Sequence, residues 1–162
     1  MARDARDRED LLRDARGLSP RVELVVGQGS EAFTFFAGFR GESLSLYFGH
    51  DRVYHFNDRG ELRRAYLDDV LLKAEQGRLV AMSRERSASE VSLVSRELSV
   101  VEARMLLHEL KDWLRALSEA LAAGAYELVG EEPLGSGVIE RLVGWLRAGG
   151  DEIQIATSPR VS

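Results

Sequence analysis

Residues 61–84 read ELRRAYLDDVLLKAEQGRLVAMSR, and the way they pair decides the fold. Two dipeptides, Asp68-Asp69 and Gln76-Gly77, interrupt runs rich in Val, Leu, Ala and Tyr, as two-residue hairpin loops do. If both are such loops, Leu67 pairs with Val70 and Glu75 with Arg78. Ala65, Leu72 and Ala81 then align across three strands, and so do Arg63, Ala74 and Leu79. That face, with Leu67 and Val70 beside it, is small and apolar and is assigned to the core. The other face carries the rows Tyr66–Leu71–Met82, Arg64–Lys73–Val80 and Leu62–Glu75–Arg78. It is too apolar to be simply solvated and too charged for a dry interior, so a covering element is expected over part of it.

The same punctuation runs outward from this stretch. Strand-like runs fill residues 21–97, among them RVELVV, SLSLYF and RVYHF, and from Gly41 onward turn signals recur every eight to eleven residues. That spacing leaves no room for crossover helices and predicts an antiparallel meander. Asn57-Asp58-Arg59-Gly60 matches a type I turn with a glycine free to go left-handed. Tyr54 and Phe56 then share one face of the incoming strand, and Val53 and His55 the other.

Beyond the meander the period changes. Ser99 and Glu102 form a capping-box signature ahead of Val101, Met105, Leu106, Leu110, Trp113, Leu114, Leu117 and Leu121, an apolar stripe at helical spacing that Gly124 closes. A helix over residues 100–123 would be about 36 Å long at ~1.5 Å per residue. The strands span only about 20–23 Å at ~3.3 Å per residue, so the helix must overhang the sheet and meet the terminal segments or another subunit. This helix is also the candidate cover for the second sheet face. The tail predicts a strand over 125–131, a helix over 138–148 and a strand over 151–157 with Ile153 and Ile155 on one face. Residues 3–17 predict a short helix, closed by Gly17 and Pro20.

The expected fold is α+β: a curled antiparallel meander or partial barrel of six to eight strands, packed by the long helix, with a C-terminal β-α-β segment. The chain divides into an N-terminal helical arm (1–20), one α+β domain (21–157) and a loose tail (158–162). Within the domain lie the meander (21–97), the long helix (100–123) and the β-α-β tail (125–157).

Composition narrows the function classes. The chain has 162 residues, about one domain, and a net charge of −5, so it lacks the overall basic field that nucleic-acid binders use. It has no cysteine, which removes disulfides, thiol nucleophiles and thiolate zinc sites and suits a reducing, cytoplasmic setting. The opening MARDARDREDLLRDARG has no apolar h-region, and no run approaches the ~18 apolar residues of a membrane span.

Chemistry-bearing motifs are sparse. There is no G-x-S-x-G, no H-E-x-x-H and no glycine fingerprint followed by lysine, so no catalytic residue and no cofactor are expected. His50 and His55 stand near Asp51 and Asp58, but one sits in a turn and the other on a strand, so no metal site is expected from them. His108, a turn from Arg104 and Asp112, reads as a surface ion pair. The basic row stands out. Arg64 opposite Lys73 costs stability unless an anion or a carboxylate such as Glu75 or Glu109 neutralises the pair, and Tyr66 lies alongside.

Two functional expectations follow. The first is a non-enzymatic interaction module, a homodimer joined through the overhanging helix at Leu106, Leu110, Trp113 and Leu117. The second is a binding protein for a small anionic ligand, or an unusual enzyme, with the curled sheet as container and Arg64, Lys73 and Tyr66 beside the ligand.

Overall fold

The computed structural model describes residues 13–49, 51–68, 70–86, 90–149 and 152–157. Most of the expected N-terminal helix, His50, Asp69, the Ser87–Ser89 turn and the 158–162 tail fall outside them. Eight strands form the meander: β1 (Arg21–Val26), β2 (Phe33–Arg40), β3 (Ser43–Phe48), β4 (Arg52–Phe56), β5 (Leu62–Leu67), β6 (Val70–Glu75), β7 (Arg78–Arg86) and β8 (Val91–Glu97). Helix α1 (Val100–Ala123), strand β9 (Tyr126–Glu132) and helix α2 (Val138–Gly149) follow. The sheet has nine strands in the order β8-β7-β6-β5-β4-β3-β2-β1-β9, every described pairing between them is antiparallel, and it does not close.

The hairpin register follows from the turn chemistry. Leu67 pairs with Val70, Ala65 with Leu72, Arg64 with Lys73, Leu72 with Ala81 and Glu75 with Arg78. Gln76 (φ 53°) and Gly77 (φ 80°) both adopt the left-handed backbone that a two-residue turn of this hand requires. At the β4–β5 turn Gly60 has φ 77°, and the Asn57 carboxamide oxygen accepts from the Arg59 and Glu61 amides at 3.0 and 2.9 Å. The asparagine therefore builds this turn with its own side chain.

One irregularity breaks the expected alternation. His55 pairs with Arg64 but Phe56 pairs with Leu62, so Arg63 is an extra residue, a β-bulge. Arg63 does not align with Ala74 as the pattern predicts, and Leu62 leaves the Glu75 row to face the core, fully buried. Its backbone is taken up by the tail: the Leu62 amide donates to the Gln154 carbonyl at 2.7 Å, and the Ala156 amide to the Leu62 carbonyl at 2.8 Å. The expected final strand is thus reduced to a single bridge at Ile155, with Ile153 buried beneath it.

Helix α1 begins at the expected capping box. The Glu102 amide donates to the Ser99 hydroxyl at 3.1 Å and the Ser99 amide to the Glu102 carboxylate at 2.9 Å. It ends at Gly124 in the left-handed conformation (φ 70°). Leu110, Leu114, Leu117 and Leu121 pack with Leu24, Phe35, Leu46, Phe56, Ala65 and Leu72 on the face assigned to the core. So α1 fills the concave side and not the second face, for which the sequence made it the candidate cover: that face has too many cations to receive four leucines. Trp113 packs on Phe33 and Phe48 with centroids 5.5 and 5.1 Å apart, and Trp145 of α2 on Phe56 at 4.8 Å.

The second, outer face has a different cover. Residues 13–16 form a helical turn, and Ala15 and Leu18 pack with Tyr47 and Val53, with Phe36 and Tyr66 against them. Leu18 sits directly on Gly38, where a Cβ would come within 2.6 Å of the Leu18 Cβ. No helix of the described residues is long and apolar enough to cross a membrane.

Two substitutions test this packing with opposite signs. Gly38→Ala forces Leu18 off the sheet and is expected to cost about 1–3 kcal/mol in urea unfolding. Tyr54 is fully buried, and burial raises its phenol pKa; Arg52 lies near enough to ease that rise, but the hydroxyl lacks a partner with hydrogen-bond geometry among the described residues. Tyr54→Phe is therefore expected to leave stability unchanged or raise it by up to about 1 kcal/mol. A marked loss would show that the hydroxyl is satisfied.

Candidate anion-binding site

Alternation along the strands places Ser45 and Tyr47 of β3, His55 of β4 and Arg64 and Tyr66 of β5 on the outer face. Ser45 is directly opposite His55, and their side chains meet, Oγ to Nδ1, at 2.6 Å. Tyr47 sets its ring edge-on to the imidazole, centroids 6.1 Å apart. Arg64 is opposite His55 on one side and Lys73 on the other. The bulge adds Arg63, and the last residue of β2 adds Arg40.

The electrostatics show that these groups share one neighbourhood. Burial first, and then Arg64, Arg63 and Arg40, together push the His55 pKa down to about 3. Arg63 is itself depressed, by burial first and then by Arg64 and Arg40. Tyr47 is pushed up to about 12, chiefly by burial and then by Asp14, with Arg64 and Arg40 opposing. Among the described residues, Arg40, Arg63, Arg64 and Lys73 make no salt bridge. Glu109, a candidate neutraliser of the Arg64–Lys73 pair, instead pairs with Arg52.

The chemistry available follows from these values. A serine hydroxyl on an imidazole resembles a nucleophile and its base only in outline. An imidazole of pKa about 3 is a poor proton acceptor near neutral pH, where a general base is best poised. The group fits recognition better: several guanidinium donors and a neutral imidazole present N–H groups to an acceptor-rich anion.

The other candidate residues lie elsewhere. Leu110 and Leu117 are fully buried in the chain's own core, with Leu106 and Trp113 partly buried against it. The exposed apolar part of α1 is its first turns: Val100, Val101 and Met105. His108 Nε2 lies 3.8 Å from the Asp112 carboxylate on the helix surface. A separate cleft of about 280 Å³ opens between α1, α2 and the tail, with Lys111, Arg115 and Arg147 at its rim and Trp145 and Ile153 in its wall. Its volume is at the low limit for ligand pockets, roughly 300–1,000 Å³.

Sequence reasoning reached Arg64, Lys73 and Tyr66 through the hairpin register but missed Arg40, Ser45, Tyr47, His55 and Arg63 as members of one group. The i, i+2 spacing of Ser45 and Tyr47 was available as a signal. The bulge that brings in Arg63 was not. Compared with family models, with curated proteins and with solved structures, the chain matches none of them.

The His55 environment sets a pH dependence. Its folded pKa lies below the unfolded value near 6.5, so its contribution is fully present above about pH 6.5 and is lost as pH falls toward about 3. Between pH 7 and pH 5 the native protein is expected to lose about 1–2 kcal/mol more than His55→Gln in urea unfolding. Parallel pH profiles for the two proteins would show that the imidazole is not held neutral.

Proposed function

We propose that the chain is a non-enzymatic binding module that holds an oxyanion, a phosphate or carboxylate group, on the outer face of its sheet. The observation that carries this reading is the convergence of Arg40, Arg63 and Arg64 on His55, with Lys73 across from Arg64 and no ion-pairing carboxylate among the described residues. Like charges set side by side on a sheet are unfavourable until a counter-charge arrives, so the free protein stores a cost that an anion removes. Among the described residues, Asp14 is a carboxylate that acts on Tyr47, where Arg64 and Arg40 oppose it.

The concave side of the sheet is not the container in this reading, because α1 fills it. Neither does the net charge of −5 oppose it, since a local patch recruits an anion through short-range contacts. A cytoplasmic location suits the module, as a chain without cysteine draws nothing from an oxidising compartment.

A second reading, the homodimeric interaction module, is favoured by a specific observation. Val100, Val101 and Met105 stand 67%, 64% and 68% exposed at the start of α1. Clustered apolar exposure of this kind marks contact surfaces.

The primary reading is tested at low salt with inorganic phosphate and citrate, by calorimetry and by NMR titration of the His55 ring. A bound anion is expected to draw the His55 pKa upward. Arg63→Ala with Arg64→Ala is expected to weaken binding by about 10–100-fold, as loss of charged hydrogen bonds does, while raising the stability of the free protein. Unchanged binding in that double variant, or no binding by the native protein, would overturn it.

A further inference from the structure

The two edges of the sheet are built differently. Strand β9 is guarded: it carries a bulge at Val129, Glu127, Glu131 and Glu132 lie along it, and Pro133 follows at once. Bulges, charges and proline are the means by which sheets block edge-to-edge pairing. Strand β8, VSLVSRE, has no proline, and its register with β7 runs without a shift from Arg86–Val91 to Val80–Glu97. Its charges are engaged within the chain, Arg96 on Glu102 at 2.8 Å and Glu97 on Arg78 at 3.4 Å. Val91 and Val94 are 52% and 38% exposed.

The backbone polarity of this edge can be read out. The Leu98 amide donates to the Leu79 carbonyl at 2.8 Å. By antiparallel alternation Ser92, Val94 and Arg96 turn their N–H and C=O groups toward β7, and Val91, Leu93, Ser95 and Glu97 turn theirs outward.

We propose that β8 pairs with β8 of a second copy of this chain, antiparallel about a two-fold axis at Val94, joining two sheets into one. The proposal rests on the homodimer reading and assigns its surface. A two-fold at Val94 sets Leu93 opposite Ser95 of the partner subunit and Val91 opposite Glu97 of the partner subunit. Every outward donor on these residues then meets an outward acceptor. A shift by one residue would set outward groups against inward ones. No like charges face each other: Arg96 meets Ser92 of the partner subunit, and Glu97 meets a valine. This self-complementarity is what favours a second copy over an unrelated strand. The Arg96–Glu102 pair holds the first turn of α1 on the Val94 face of β8. Both copies' Val101 and Met105 therefore lie on one side of the joined sheet and add the apolar area that a short strand pair lacks.

The test is sedimentation of the full chain from micromolar to hundred-micromolar concentration, with native mass spectrometry on mixtures. The native protein is expected to be a dimer of 18.1 kDa subunits. Val94→Lys and Val94→Glu are each expected to be monomeric, since like charges meet at the axis. Their equimolar mixture is expected to recover a heterodimer. Ser95→Pro removes an outward N–H without touching a β7 bond, and is expected to be a folded monomer by circular dichroism. A native protein that is monomeric throughout overturns both the homodimer reading and this surface. A dimer that survives Val94→Lys and Ser95→Pro overturns β8 pairing alone and leaves the homodimer standing. A mixture that stays monomeric overturns the axis at Val94.

Discussion

Four leucines on one side of a helix hold this structure together. Leu110, Leu114, Leu117 and Leu121 recur at intervals of three and four and enter the concave face of a sheet whose inward residues are Leu, Val, Phe and Ala. Burying each such side chain contributes about 1.5–3 kcal/mol, a large share of the net stability of an ordinary domain. The sheet must curl to receive the helix, and so it presents its other face outward, over β3, β4 and β5, as a surface that the described residues cover only in part. The short cover made by Ala15 and Leu18 is seated on Gly38 because no side chain stands there.

The bulge at Arg63 then links three features. It returns Leu62 to the core, frees the Leu62 backbone to receive the tail at Gln154 and Ala156, and adds a second arginine beside Arg64. A regular strand would have kept Arg63 on the apolar face, where an unpaired guanidinium is costly. The irregularity thus serves the core and the candidate site together. The imidazole it crowds stays neutral because burial and three guanidinium groups act in the same direction.

Burial also decides which part of α1 can meet another molecule. The half that packs is committed to its own chain, and the exposed first turns are not. Because those turns follow directly on β8 and are tied to it by Arg96 and Glu102, the exposed apolar residues and the open sheet edge lie in one region. The opposite edge, β9, carries carboxylates and a bulge and ends in proline, so the sheet is asymmetric in what it offers to a partner.

The sequence by itself determined the elements and their local pairing. Turn residues fixed the β5–β6–β7 register, including Arg64 opposite Lys73, because two-residue loops leave one way to pair the flanking strands. The capping box and Gly124 fixed both ends of α1, since the backbone groups they satisfy are local. Only the tertiary structure decided which face of the sheet the helix covers, that nine strands assemble without closing, and that Arg40, Arg63 and His55 form one group with Arg64. Those outcomes depend on contacts between residues far apart in the chain and on one bulge that breaks the alternation. A period-two pattern carries no record of the residue at which it slips.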